Sequence, residues 1–148
     1  MSRAGIDLQT SLGYLLKEAS SALRTAMEEV LRPLDMTITH YSCLELLAQR
    51  PGLSNSELAR GAFVTRQSMN VLLQNLERLG HVTRPAEAPV GKVLPTELTP
   101  TVREILKKAT AAVRSVELRM LSGMTADDQI QALHILRSMI RSLRASDA

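Results

Sequence analysis

Aromatic residues are scarce in this chain of 148 residues, which has two tyrosines, one phenylalanine and no tryptophan. Its core must therefore consist mainly of aliphatic side chains, methionine and alanine, and this composition favours an all-helical fold. Cys43 is the only cysteine, which excludes an intramolecular disulfide and is typical of a reducing compartment. The sequence shows neither the apolar run of a signal peptide nor a stretch as long as a transmembrane span. We expect a soluble, cytoplasmic protein without a membrane partner.

Signatures of catalysis are missing as well. There is no nucleophile elbow, no glycine-rich phosphate loop and no pair of catalytic carboxylates, so the sequence predicts no enzyme. His40 and Cys43 lie three residues apart on one face of a predicted helix, but two ligands do not make a zinc site, and we predict neither a metal nor a cofactor. The net charge of +3 and the sequence pI of about 9.4 permit binding to a polyanion without requiring it.

Three long segments show apolar residues at intervals of three and four, as amphipathic helices do. The first runs from about Asp7 to Leu31, the second begins at Pro100, and the third follows Thr125. Each predicted helix has about 18 to 25 residues, or roughly 27 to 37 Å. Such helices are too long for the rest of the chain to cover, so a second copy of the chain is the simplest partner. A monomeric bundle is the alternative.

Three shorter helices are predicted between the first two of these segments. Thr37 or Thr39 caps the first of them, and "RPG" at residues 50–52 ends it. The other two are predicted from their capping residues. Ser54 with Glu57 forms a capping box for a helix over Asn55–Arg60, and Gly61 is suited to its C-terminal end. Thr65 caps the next helix, only a few residues further on. This spacing is typical of a helix–turn–helix.

The helix that Thr65 begins runs to about Leu79 and has two different faces. On a helical wheel, one arc is apolar and the other carries the side chains that read base edges, since Arg pairs with guanine and Asn or Gln with adenine. Thr65 and Ser68 lie near its N-terminus, where hydroxyls and free N–H groups meet phosphates. The apolar arc consists of Met69, Leu72, Leu73, Leu76 and Leu79, and the polar arc of Arg66, Gln67, Asn70 and Gln74.

After Gly80 the stretches "HVTR" and "KVLPTEL" predict two short strands of a hairpin. Arg84 lies at the base of this hairpin and Lys92 in its turn, and both are predicted to contact backbone phosphates or an adjacent minor groove. The fold class is therefore mainly α with a small β-hairpin wing, a winged helix–turn–helix whose partner is double-stranded DNA. A polar face that is merely solvated is the alternative.

The order of these parts resembles that of the MarR family of bacterial transcriptional regulators. "LSNSELARGAFVTRQSMNVLLQNLERLGHVTR" is similar to the paired helices of that family, and "ELTPTVREIL" to the start of the helix after its wing. The resemblance covers about Leu12 to Leu143. It implies one domain over residues 1–148, with long N- and C-terminal dimerisation helices over residues 1–33 and 100–148. Residues 34–99 would form the DNA-binding lobe.

The resemblance also implies an obligate homodimer that binds a palindromic operator, with the wing beside each recognition helix. Members commonly act as repressors, and many release DNA on binding small aromatic or phenolic anions. The matching positions imply DNA-binding roles for Thr65, Arg66, Gln67, Ser68, Asn70 and Gln74, and phosphate-facing roles for Ser54 and Asn55. By position in the family, the effector pocket would include Tyr14, Arg24, His40 and Tyr41.

Two features of the sequence keep alternatives open. Val90 and Lys92 replace the Asp-x-Arg pattern usual in the wing of the family, which motivates a helical protein-interaction module without tight DNA binding. Some relatives sense peroxides through a cysteine near the start of the first long helix, where this chain has none. Cys43 is either a packed core residue or the basis of a redox-sensing regulator.

Overall fold

The structure, a computed structural model, describes residues 5–84 and 96–145 of the chain. Within them it is mainly α-helical with one small antiparallel hairpin, as predicted. No helix in these two stretches is long and apolar enough to cross a membrane. The elements are α1 (Leu12–Leu31), a 3-10 helix (Arg32–Leu34), α2 (Ile38–Gln49), α3 (Asn55–Ala62), α4 (Arg66–Arg78), β1 (Val82–Thr83), β2 (Glu97–Leu98), α5 (Pro100–Met120) and α6 (Ala126–Arg144).

The first helix starts later than the sequence predicts. Ser11 is the N-cap, and its hydroxyl accepts a hydrogen bond from the backbone N–H of Tyr14 at 3.2 Å. Residues 7–10 form a turn instead, in which the N–H of Thr10 donates to the carbonyl of Asp7. The side-chain carboxylate of Asp7 also accepts the N–H of Gln9, so local hydrogen bonds compete with the helix there.

Helix α3 ends at Ala62, two residues later than predicted, and Gly61 lies inside it. A Cβ added at Gly61 would lie 2.9 Å from Cδ1 of Leu46, so the glycine allows α3 to pack closely on α2. The role of C-cap falls to Phe63, which adopts a left-handed conformation with φ 61°. The prediction that Gly61 ends the helix is therefore wrong, because close packing explains this glycine.

The described residues divide into two compact units, one that ends at Val116 and one that begins at Glu117. The core of the first unit joins the end of α1 to α2, α3, α4, both strands and the first half of α5. It is aliphatic, as the composition predicts, and Tyr41 is its only aromatic side chain among the described residues. The side chains that are completely buried include Leu31, Leu44, Leu58, Met69, Leu73, Leu76 and Val102.

The hairpin is fixed to this core at its base. Val82 pairs with Leu98 and Thr83 with Glu97, and the two apolar members, Val82 and Leu98, are buried. Thr99 follows β2 and caps α5, since its hydroxyl accepts the N–H of Val102 at 3.3 Å. The predicted start of this helix at Pro100 is confirmed.

The second unit contains the end of α5 and all of α6. Thr125 and Asp128 form the capping box of α6, with reciprocal hydrogen bonds of 3.1 and 3.0 Å. The apolar stripe of α6 is 43% to 87% exposed and consists of Ile130, Leu133, Leu136, Ile140 and Leu143. In α1, Leu12, Leu15 and Leu16 are likewise exposed. A single described chain thus leaves two helical apolar stripes without cover.

Candidate nucleic-acid interface

Helix α4 is held by one face and presents the other to solvent. The hydroxyl of Thr65 accepts the N–H of Ser68 at 3.0 Å and so caps the helix, as predicted. Met69, Leu73 and Leu76 are completely buried. Leu79 belongs to the same apolar arc, but it is 56% exposed because it lies at the C-cap, where the chain turns at Gly80.

The polar arc of α4 forms largely as the sequence predicts. Arg66, Gln67 and Gln74 are exposed, while Asn70 is half-buried. The amide of Asn55, at the start of α3, donates to the Oδ1 atom of Asn70 at 3.5 Å. Asn55 and Asn70 therefore form a contact between the two helices of the helix–turn–helix, and the other three side chains project freely.

Hydroxyl groups at the helix start are already partly engaged. Thr65 donates its hydroxyl proton to the Oγ atom of Ser68 at 3.0 Å, in addition to capping the helix. The hydroxyl of Ser68 accepts this bond and donates to no described residue, so it can still donate a hydrogen bond. At the start of α3, Ser54 accepts the N–H of Glu57, and the Glu57 carboxylate accepts the N–H of Ser54 at 3.0 Å. The predicted capping box is confirmed.

The basic residue at the base of the hairpin has an acidic partner. Nε of Arg84 lies 2.8 Å from Oε1 of Glu77 on α4, and Nη2 donates to the same oxygen. The side chain of Arg84 is only 20% exposed. Any contact of Arg84 with a phosphate must compete with this ion pair, a constraint invisible in the sequence. Val90 and Lys92, on which the other wing predictions fall, lie outside the described residues.

A pair of histidines lies at the junction of α2, α4 and the hairpin. Nε2 of His40 is 3.2 Å from Nδ1 of His81, and the rings are 5.3 Å apart between centroids. Burial, with a smaller effect of the neighbouring His81, lowers the pKa of His40 to about 4. Burial also lowers the pKa of His81. At neutral pH both rings are uncharged, so one donates and the other accepts.

The four residues predicted for an effector pocket do not line one cavity. Arg24 lines a cleft of about 890 Å³ between α1, α2 and the α3–α4 turn, and the other three residues do not. His40 is buried against His81, and Tyr14 is exposed on α1. Tyr41 donates its hydroxyl proton to the carboxylate of Glu45 at 2.9 Å.

Glu45 is the centre of a hydrogen-bond network that the sequence does not predict. Besides Tyr41, Thr110 of α5 donates to its carboxylate at 2.7 Å and Gln49 at 2.9 Å. Partial burial would raise the pKa of Glu45, but the hydrogen bonds from these three side chains hold it below its usual value. Since Thr110 lies 65 residues away in the sequence, no local pattern reveals this network.

Cys43 is completely buried in the core, and burial raises the pKa of its thiol to about 12. The thiolate is the reactive form, so the folded chain holds this residue in its inert form. This geometry favours the packing role over the redox-sensing alternative. No group of three or more metal-binding side chains occurs in the part of the chain that the structure describes.

Two capped helices, an exposed polar arc on the second and a hairpin behind it define a winged helix–turn–helix. The profile described as "MarR family" matches residues 34–92. The chain is 41% identical over 135 residues to the HTH-type transcriptional repressor Rv2887 of Mycobacterium tuberculosis, covering 91% of this chain and 97% of that one. The chain therefore belongs to the MarR family, whose members are transcriptional regulators.

Solved structures agree with this assignment. The crystal structure of Rv2887 in complex with DNA matches with a TM-score of 0.72 at 39% identity, covering 88% of this chain and 98% of that one. The complex of Rv2887 with salicylic acid matches with a TM-score of 0.71 at 42% identity, covering 88% and 96%. A MarR family regulator from Silicibacter pomeroyi, at 22% identity and full coverage of both chains, shares the fold with a TM-score of 0.85.

Proposed function

We propose that this chain is a homodimeric repressor that binds a palindromic operator through α4 and releases it when a small-molecule effector binds. The observation that supports this proposal most directly is the division of α4 into two faces. Met69, Leu73 and Leu76 are completely buried on one, and Arg66, Gln67 and Gln74 are exposed on the other. A relative that is 39% identical in its solved structure forms a complex with DNA, which supports the same use of the fold here.

The dimer follows from the uncovered apolar stripes of α1 and α6. Burying exposed aliphatic side chains contributes about 25 cal/mol per Å² of apolar surface, so two facing stripes are a strong incentive to associate. We assign residues 1–33 and 100–148 to dimerisation and residues 34–99 to DNA binding. Half-sites would then lie roughly 10 bp apart, one helical turn, on the same side of the duplex.

In this scheme Arg66, Gln67, Asn70 and Gln74 read bases, and Thr65, Ser68, Ser54 and Asn55 hold phosphates. Arg84 and Lys92 contact phosphates or the minor groove beside the wing. The effector is a small aromatic or phenolic compound, a proposal supported by the salicylic acid complex of the relative Rv2887. The proposal places the protein in the cytoplasm, with its DNA, and gives it no enzymatic step.

The first test is binding to the DNA upstream of its own gene, measured by fluorescence anisotropy at about 50 and 200 mM salt. A specific repressor prefers this duplex over random DNA by roughly 10³-fold or more and loses affinity steeply as salt rises. Equal binding to both duplexes at every salt concentration would overturn the proposal and favour the protein-interaction module instead.

Two variants separate base reading from phosphate contact. Arg66→Ala should cost about 1–3 kcal/mol and relax specificity at one operator position, because it removes a bidentate contact to a base. Lys92→Ala should weaken binding to all sequences alike and reduce the salt dependence. Arg114→Ala removes an equal charge from an exposed site on α5 and serves as the control. If Arg66→Ala weakens binding to every sequence by the same factor, as Lys92→Ala is expected to do, the assigned roles are wrong.

A further inference from the structure

Helix α4 carries one acidic residue, Glu77, in its last turn. DNA is a polyanion, so a carboxylate on this helix opposes the binding proposed above unless a cation neutralises it. In the free chain that cation is Arg84 at the base of the hairpin. Nε of Arg84 donates to Oε1 of Glu77 at 2.8 Å, and Nη2 donates to the same oxygen. The acidic residue of α4 and the basic residue of the hairpin therefore engage each other.

Arg84 makes this contact through an edge of its guanidinium group that also fits a phosphate. Nε and Nη2 form one edge of the planar group, and such an edge can donate two parallel hydrogen bonds to a carboxylate or a phosphate. The side chain of Arg84 is 20% exposed and that of Glu77 is 37% exposed, so the ion pair is partly shielded from water. The carboxylate of Glu77 thus holds the place on Arg84 that a phosphate of bound DNA would take.

Neither member of the ion pair has a substitute partner among the described residues. The next cation on α4, Arg78, donates to the side chain of Asn75 at 3.2 Å instead of to Glu77. The backbone before Arg84 is fixed, because β1 pairs with β2 and Val82 of β1 is buried. Arg84 therefore reaches DNA by rotation of its side chain, and that rotation leaves the Glu77 carboxylate without a described cation.

We propose that Glu77 limits the affinity of this protein for DNA by withholding Arg84 from the phosphates. The inference rests on the proposed binding of DNA through α4 and the wing. In the free chain Arg84 is paired with Glu77, and in the complex it exchanges that carboxylate for a phosphate oxygen. The free energy of binding then includes the loss of the ion pair. The wing consequently adds less affinity than an unpaired arginine would add.

Glu77→Gln tests the inference, because glutamine has nearly the same shape as glutamate without its charge. The side-chain oxygen of glutamine can still accept a hydrogen bond from Arg84, so the base of the hairpin keeps its place while the guanidinium becomes available to a phosphate. The Kd for DNA should therefore fall by about two- to five-fold, which is the contribution expected of a partly exposed ion pair.

A double-mutant cycle distinguishes the release of Arg84 from direct repulsion between Glu77 and DNA. Glu77→Gln is compared with the wild type, and Glu77→Gln/Arg84→Gln is compared with Arg84→Gln. The Kd values are measured by fluorescence anisotropy on a duplex that the wild-type protein selects from a random library. The first comparison should show the expected gain in affinity, and the second a clearly smaller gain.

The dependence of binding on salt gives a second readout. In Glu77→Gln the guanidinium of Arg84 neutralises one phosphate, and in the double variant it cannot. The slope of log Kd against log salt concentration should therefore be steeper for Glu77→Gln than for the double variant by about 0.9. Equal slopes would show that Arg84 does not reach a phosphate, which would overturn the inference.

Glu104→Gln is the matched control. Glu104 lies on α5 and accepts a hydrogen bond from Lys107 at 3.3 Å, so this variant also removes one carboxylate from an ion pair. Its Kd for the duplex should equal that of the wild type. Urea denaturation verifies that each variant is folded. If Glu77→Gln does not fold, Glu77→Asp takes its place, because it withdraws the carboxylate from Arg84 by one methylene and should tighten binding in the same direction.

The outcomes separate this inference from the proposed function. If the wild type selects no duplex, the proposed function fails and the inference fails with it. If the wild type selects a duplex and Glu77→Gln binds it no more tightly, the inference alone is wrong. An equal gain in both halves of the cycle shows that the charge of Glu77 acts on DNA directly, and it overturns the withholding of Arg84. The same gain in Glu104→Gln assigns the effect to net charge and also overturns it.

Discussion

The neutral histidine pair predicts a specific loss of stability in mild acid. His40 has a folded-state pKa of about 4, against 6.5 for an unperturbed histidine. For a base whose pKa is lowered by folding, the unfolded chain binds the proton first. The contribution of His40 to the free energy of unfolding is therefore complete above pH 6.5 and is lost as the pH falls toward 4.

The size of the effect follows from these two values. One pKa unit corresponds to 1.36 kcal/mol, so the full contribution of His40 is about 3 kcal/mol, of which about 2 kcal/mol is lost between pH 7.5 and pH 5. Folding also lowers the pKa of His81, whose ring is hydrogen-bonded to that of His40. Protonation of one ring therefore affects protonation of the other, and the two residues titrate as a pair. The protonation of carboxylates changes little between pH 7.5 and pH 5, because their ordinary pKa values lie near 4.

Urea denaturation at pH 7.5 and pH 5 measures this change, with the protein concentration held constant because a dimer unfolds by mass action. His40→Asn should remove most of the difference between the two pH values. His134→Asn, at an exposed site on α6, is the matched control and should retain it. An equal pH dependence in wild type and His40→Asn would refute the reasoning, whatever the stability of the variant at neutral pH.

Two further predictions concern the core and the start of α3. Cys43 should not react with a thiol reagent at pH 8 in the folded protein and should react fully in urea, because it is completely buried with a pKa of about 12. Rapid labelling of the native protein would revive the redox-sensing alternative. Ser54→Ala should lower the free energy of unfolding by about 1 kcal/mol through loss of the cap, whereas Ser56→Ala, inside the same helix, should not. Equal losses in both serine variants would contradict the capping argument.

The parts of the fold that the sequence predicts well are those governed by local hydrogen bonds. Ser54, Thr65 and Thr125 cap their helices because each hydroxyl reaches a backbone N–H three residues further on. The buried face of α4 follows the helical period equally well at Met69 and Leu73.

Where prediction fails, a distant contact decides the outcome. Gly61 signals a helix end by its residue type, but Leu46 on another helix makes it a packing site. Glu77 lies on α4 and Arg84 follows β1, seven residues further on, so no local pattern in the sequence predicts this ion pair. The sequence also does not predict that Phe63 is the C-cap of α3, because a left-handed backbone is expected of glycine or asparagine and not of phenylalanine.

The same dependence on tertiary contacts applies to the polar arc of α4. Asn70 is half-buried and accepts a hydrogen bond from Asn55, so its amide is oriented from α3. Arg66 and Gln74 have no such contact with a described residue, so their side chains can rotate to fit the bases that we propose they read. A change in the packing of α3 on α4 therefore alters what Asn70 presents while leaving those two side chains free. In the base-reading role that we propose for Asn70, specificity at one base position is controlled by a helix that need not touch that base.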